Sequence, residues 1–391
     1  MRKCLLAVQG PLQLIAGLIA MEWYDRVKHC SSDTEVTLLV CDLLVQPDLE
    51  APLEEIVKNL SVVRRWKKIV FISGMEMSQI MKRRYAKSVL EFRSLIGETS
   101  FDEIFAGRDF AGVGNALVLN AYPDAARIIY GDSFGYVGYQ DDLSPKWTLS
   151  LKSARTHLVS FVRKILFGSP NKFRFDAAVL TLPVDWSGDY LRNIPLLIPD
   201  KGHALKILSE CSNQLPGLNV YCDSLLEGTC DPHVVLLSNL SRAGFMSVEN
   251  EIGLYVETIQ QTVPAGATIL LKPHPRAPIG ILTSVLKAIG AEYRITLIDD
   301  ARFSRIPIEL WVSLIRASKV VTIVSSSGVY LKYFYGTEVN LPLSDGAIRQ
   351  YFYPEWISYI AKVNTVIRES LHNLKEWDGK SPLWKAPGST L

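Results

Sequence analysis

Six cysteines occur in 391 residues, and none forms a C-x-x-C pair or stands at a zinc-like spacing from a histidine. That absence excludes the common zinc modules and a dithiol redox motif, and thiols scattered through a long chain fit a reducing compartment. No run of about 18 apolar residues is present either, so no transmembrane helix is expected. The opening "MRKCLLAVQGPLQLIAGLIAM" is basic and apolar, but it breaks at Gln9-Gly10-Pro11 with no small-residue cleavage site after it. It reads as a strand followed by a helix rather than a secretory signal. A cytoplasmic protein is expected, with peripheral contact at the inner membrane left open. Charge of one sign is also lacking: 42 Lys and Arg face 40 Asp and Glu, a net charge of +2. Nucleic acid is therefore not an expected partner. There is no D-x-D triplet to hold a metal on a nucleotide diphosphate; Asp141-Asp142 and Asp299-Asp300 are simple pairs. Metal-independent chemistry is expected. Internal repeats and low-complexity tracts are missing too.

What is present is apolar content for two cores, 48% of the residues. Strand-like runs at Leu5–Val8, Val36–Val40, Ile69–Ile72, Glu103–Phe105 and Ile128–Tyr130 alternate with helical spacing, which is the pattern of a parallel α/β sheet. The rhythm returns at Val234–Leu237, Thr268–Leu271, Arg294–Leu297 and Val320–Val324, with helices such as Ser247–Gln261 and Ile308–Ala317 between them. Two Rossmann-like parallel-sheet domains facing a cleft, the GT-B architecture, are the economical reading, although two-domain binding proteins and sugar-nucleotide epimerases share the pattern. The expected divisions are an N-terminal acceptor and base domain over 1–200, a nucleotide-binding domain over 201–350, and helices over 351–391 crossing back to the first domain. A basic amphipathic insertion near 146–175 suits either an anionic lipid surface or an acidic polymer, or packs on the first domain with its charges in water.

Four motifs can carry chemistry. In "ILLKPHPRAP" a buried strand runs into Lys272, Pro273, His274, Pro275 and Arg276. The prolines fix the backbone around one imidazole at the carboxyl end of a strand, and the flanking cations suit a phosphate. In "KVVTIVSSSGVYLKY" a strand stops at Ser325, Ser326 and Ser327 before a helix, whose free N–H groups and hydroxyls suit an anion. In "RIPIELWVSLI" Glu309 lies near a helix start, either as an ordinary N-terminal acid or as a bidentate partner for ribose hydroxyls. In "RIIYGDSFG" Asp132 leaves a strand between Gly131 and Ser133. It either caps its own turn or is held where a base could strip a proton from a sugar hydroxyl.

With these residues in place, the chain resembles the bacterial GT-B sialyltransferases, especially the capsular polysialyltransferase family and related lipooligosaccharide sialyltransferases. Those families begin with a strand and a T/G-P-L-Q segment, here Gly10-Pro11-Leu12-Gln13. They then carry an acidic D/E-D/E-G motif, a His-Pro motif and a serine pair in this order, and the resemblance spans roughly residues 1–345. It implies inverting transfer of a nonulosonic acid from a CMP-activated donor to a glycan or glycolipid acceptor, with no cofactor beyond the donor. Asp132 would be the base and His274 would meet the departing phosphate. Ser325 and Ser326 would hold that phosphate, with Glu309 near the ribose. Lys272, Pro275 and Ser327 join the nucleotide-binding set; Gly10, Gln13, Gly131, Ser133 and Arg276 lie in the donor and acceptor vicinity. The family pattern has two acids before its glycine, whereas this chain has Gly131-Asp132-Ser133, so a Kdo or another acidic-sugar donor stays open. UDP- or GDP-sugar transfer, epimerisation, and a non-catalytic glycan-binding subunit of a capsule-assembly complex are the alternatives.

Overall fold

A computed structural model describes residues 1–28, 33–41, 47–83, 85–107, 113–132, 175–184, 194–229, 231–274 and 279–374. These residues form two compact α/β units, and the boundary falls between Ile207 and Leu208.

The first unit runs β1 (Arg2–Val8), α1 (Pro11–Lys28), β2 (Thr34–Cys41), α2 (Pro47–Ser61), β3 (Lys68–Ile72), α3 (Gly74–Met81), α4 (Tyr85–Ile96), β4 (Glu103–Gly107), α5 (Val113–Ala121), β5 (Ala126–Gly131), β6 (Ala177–Leu180) and β7 (Leu196–Leu197). The strands pair in parallel in the order β3-β2-β1-β4-β5-β6-β7. Both faces of the sheet are covered, which is why β1 and β4 are continuous apolar runs rather than alternating ones. Pro11 stands at the first turn of α1, where its missing N–H costs nothing. Gly17 then lets α1 lie close to the sheet, since a Cβ there would come within 2.7 Å of Leu6 Cδ1 and 3.3 Å of Tyr130 Cζ. The Tyr130 hydroxyl donates to Ala7 O at 2.7 Å beneath the helix.

The second unit begins within α6 (Lys201–Asn213) and continues α7 (Leu218–Leu226), β8 (His233–Leu236), α8 (Val248–Thr262), β9 (Thr268–Lys272), α9 (Ile279–Ile289), β10 (Arg294–Leu297), α10 (Val312–Arg316), β11 (Lys319–Thr322), α11 (Ser327–Tyr335), β12 (Val339–Asn340), α12 (Asp345–Tyr351) and α13 (Ile357–Asn373). Its parallel order is β10-β9-β8-β11-β12. In local numbering both sheets contain the run 3-2-1-4-5. Each therefore has a switch point where the winding reverses, between β1 and β4 in the first unit and between β8 and β11 in the second. In open α/β sheets ligands bind at the carboxyl ends of the strands beside such a point.

Two expectations change. The helix expected over Ile308–Ala317 is split into a 3₁₀ turn, Ile308–Leu310, and α10, with Trp311 between them in a non-helical conformation. Trp311 is fully buried, and its ring position takes precedence over a continuous helix. The strand expected over Val320–Val324 ends at Thr322, because Val324 has φ +47°. Of the helices expected over 351–391, α13 is the long one among the described residues. That helix puts Ile360 into the core of the second unit and donates from Asn364 Nδ2 to Leu343 O at 2.9 Å. Residues 375–391 and the basic insertion over 146–174 lie outside the described residues.

Candidate functional site

The second unit gathers three of the four motifs at the carboxyl edge of its sheet. β9 is buried along its whole length and delivers Lys272, then buried Pro273, then half-buried His274. Pro275 and Arg276 lie outside the described residues. Lys272 does not face solvent as a phosphate-binding cation would. It is 3% exposed, its Nζ donates to Ser304 O at 2.8 Å, and it stands 5.3 Å from the centre of the Trp311 ring. Burial lowers its pKa from 10.5 to about 7, and the charge of Glu309 opposes that fall.

Glu309 is likewise interior, at 2% exposure, and not an open acid at a helix start. Its Oε1 accepts from Ser327 Oγ at 2.8 Å, and its backbone carbonyl accepts from Tyr335 OH at 2.6 Å. Burial pushes the Tyr335 phenol far above its ordinary value, with Glu309 adding to the effect. The three serines thus divide their roles. Ser327 opens α11 and ties it to Glu309. Ser325 Oγ accepts from Ser327 N at 3.2 Å, and Ser326 is the N-cap residue without a side-chain capping bond. The turn that presents them begins at Val324, a β-branched residue in the left-handed region. Such a residue costs of order 1–3 kcal/mol and persists only where its surroundings impose it. Gly328 allows close packing behind the turn, where a Cβ would meet Val339 Cγ1 at 3.1 Å.

The switch point also brings in residues that the motif reading did not single out. β8 ends at Leu236, and Ser238 Oγ then donates to Ile323 O at 2.7 Å, tying the loop after β8 to the loop after β11. Next to it, Asn239 has a buried Oδ1 with no hydrogen-bond partner among the described residues. The signal was available: "VVLLSN" is a buried strand running into polar residues, the same pattern as the serine turn.

In the first unit, Asp132 follows Gly131 at the end of β5 and is 5% exposed. Gly131 has φ +125°, a conformation that side chains rarely adopt, and its carbonyl accepts from Thr181 N at 2.9 Å. Glycine is needed there so that β5 can turn Asp132 out of the sheet. Gln13, on the first turns of α1, accepts from Gln9 N at 2.8 Å and lies against Gly107 at the end of β4. It fills the switch point between β1 and β4, beside Gly10. Ser133 lies outside the described residues.

These two switch-point edges, on two parallel α/β units, define a GT-B-type fold. Structures with the same kind of fold include a UDP-GlcNAc 2-epimerase from Methanocaldococcus jannaschii in complex with UDP-GlcNAc and UDP, at 11% identity and TM-score 0.52, covering 100% of this chain and 97% of that one. Another is a protein from Listeria monocytogenes assigned as a UDP-N-acetylglucosamine 2-epimerase, at 12% identity and TM-score 0.50, covering 99% and 93%. A UGT transferase from Siraitia grosvenorii in complex with UDP gives 10% identity and TM-score 0.48, covering 98% and 97%. At such identities the likeness is one of fold. No curated protein sequence gives a significant match. Residues 224–341 match the family model of alpha-2,8-polysialyltransferase (POLYST). The matched segment holds Lys272, His274, Glu309 and Ser325–Ser327, and it bears out the polysialyltransferase resemblance. It supports a sialyltransferase-like glycosyltransferase.

Proposed function

We propose that this protein transfers a nonulosonic acid of the sialic-acid type from its CMP-activated donor to a glycan hydroxyl, with inversion and without a metal, in the synthesis of a surface polysaccharide. The observation that carries the reading is the polysialyltransferase match over 224–341, which contains the whole serine, histidine and glutamate constellation of the second unit. Asp132 removes the proton from the acceptor hydroxyl. The oxygen attacks the anomeric carbon, and the bond from that carbon to the CMP phosphate breaks. The phosphate leaves with an added negative charge, which His274 stabilises and the Ser325–Ser326 turn receives through its N–H groups and hydroxyls. A monophosphate leaving group makes this donor set chemically sufficient. Glu309 and Ser327 act through position: their hydrogen bond fixes the start of α11 behind the serine turn. Work on a surface glycan would place the protein in the cytoplasm, at the inner face of the membrane. Among the described residues no helix is long and apolar enough to cross it.

The test is a nucleotide screen by thermal unfolding. CMP and CDP are expected to raise the midpoint while UDP and GDP do not, since a ligand that binds only the native state stabilises it by mass action. Stabilisation by UDP or GDP alone would overturn the donor class.

A further inference from the structure

A cavity of about 150 Å³ opens in the first unit at the carboxyl edge of its sheet, away from every residue assigned a role so far except Gly10. Gln9 and Gly10 after β1, Val40 of β2, and Phe71 and Ile72 of β3 form its strand side. Leu53, Glu54 and Val57 of α2 close it from one side, and Ser73 and Glu76 from another. Its walls are thus mainly apolar, with hydrogen-bonding groups at the rim, the usual composition of a small-molecule site.

The charges are specific. Ser73 N donates to Glu76 Oε2 at 2.9 Å while Glu76 N donates to Ser73 Oγ at 3.2 Å. The bond from Ser73 N, and after it a second from Ser73 Oγ to the same Oε2 at 2.9 Å, hold the Glu76 carboxyl below its usual range and keep it ionised. Glu54 is paired with Lys58 at 2.6 Å, and Lys58 Nζ also stands 5.2 Å from the centre of the Phe71 ring. Among the described residues no lysine or arginine lines the cavity. Two carboxylates against one bordering ammonium disfavour an anionic guest and suit hydroxyl or acetamido donors.

Position supplies the second argument. The cavity is centred on β2, and Asp132 leaves β5 on the same carboxyl edge. Three strand spacings separate them, about 14 Å along the edge at ~4.8 Å per spacing, or roughly three linked sugar rings. We propose that this cavity is an acceptor subsite for an uncharged sugar ring, neutral or N-acetylated, that lies about three residues inward from the hydroxyl being glycosylated. The proposal rests on the transferase reading above and narrows it. It asks that the acceptor carry an uncharged ring at that one position.

Saturation-transfer NMR on the full chain tests this, with lactose, N-acetyllactosamine and chitotriose as neutral probes and an α2,8-linked sialic acid trimer as the anionic one. At least one neutral probe is expected to bind, and the anionic trimer is not. Leu53→Trp, which fills the cavity, should abolish binding, and Phe71→Ala, at a half-buried position, should weaken it by about tenfold. Thermal unfolding checks that each variant is folded; if Leu53→Trp is not, Phe71→Ala decides. Absence of binding by all three neutral probes, unchanged affinity in the folded variants, or preferential binding of the anionic trimer would each overturn the subsite. CMP binding, measured alongside, separates the two claims. Saccharide binding without CMP binding sinks the transferase reading and leaves the subsite standing, and the converse result does the opposite.

Discussion

Lys272 brings an ammonium into the interior of the second unit, where one carbonyl, one indole face and one carboxylate surround it. Its native pKa of about 7 lies below the 10.5 of the exposed side chain. Between those values the unfolded chain holds a proton that the native protein does not. Lys272 therefore makes stability rise with pH across that window, and its penalty is fully present below about 7. Urea unfolding from pH 6.5 to 9.5 should show that slope in the wild type and lose it in Lys272→Met, a difference on the order of a few kcal/mol. The two candidate reacting groups should behave differently. Asp132→Asn is near-isosteric and should keep the fold while transfer falls by about 10²–10⁴. His274→Ala should also keep the fold, since the ring is half-buried, and lose transfer by about 10²–10³ through poorer stabilisation of the departing phosphate. Turnover rates with a CMP-activated sugar check both, and a wild-type rate in either variant removes the role given to that residue.

At the scale of elements, the sites depend on how closely helices approach strand ends. α1 reaches the β1 edge because Gly17 leaves space over Leu6 and Tyr130, and that approach sets Gln13 against Gly107. Gly17→Val would force two methyls into a packed contact. We expect it to destabilise the first unit by about 1–3 kcal/mol, read as a lower urea midpoint. The corresponding joint in the second unit is polar. α11 is held by Ser327 to Glu309, and the loops after β8 and β11 by Ser238 to Ile323. There the backbone strain at Val324 is maintained by hydrogen bonds from neighbouring elements, which explains why a strand that looked two residues longer stops at Thr322.

For the whole molecule, two parallel sheets with the same winding place two candidate ligand edges in one chain. Donor binding should register on one of them. In hydrogen exchange, CMP is expected to protect amides after β8, β9 and β11 and to leave those after β1, β4 and β5 unchanged; protection confined to the first unit would contradict the assignment of roles. The alternation of strands and helices and the order of the motifs were legible from the residues, because hydrophobic period is a local property. So was the position of Asp132 after a glycine that must turn, and of His274 between prolines. The sequence by itself determined two parallel α/β units and the strand ends that carry the candidate site residues. Only the tertiary structure decided which charges face inward. Lys272 meets Ser304 across 32 residues and Glu309 meets Ser327 across 18, so their desolvation depends on contacts that no local pattern encodes. The same holds for the orphan oxygen of Asn239 and for the cavity beneath α2, since both arise where strands distant in sequence become neighbours at a sheet edge.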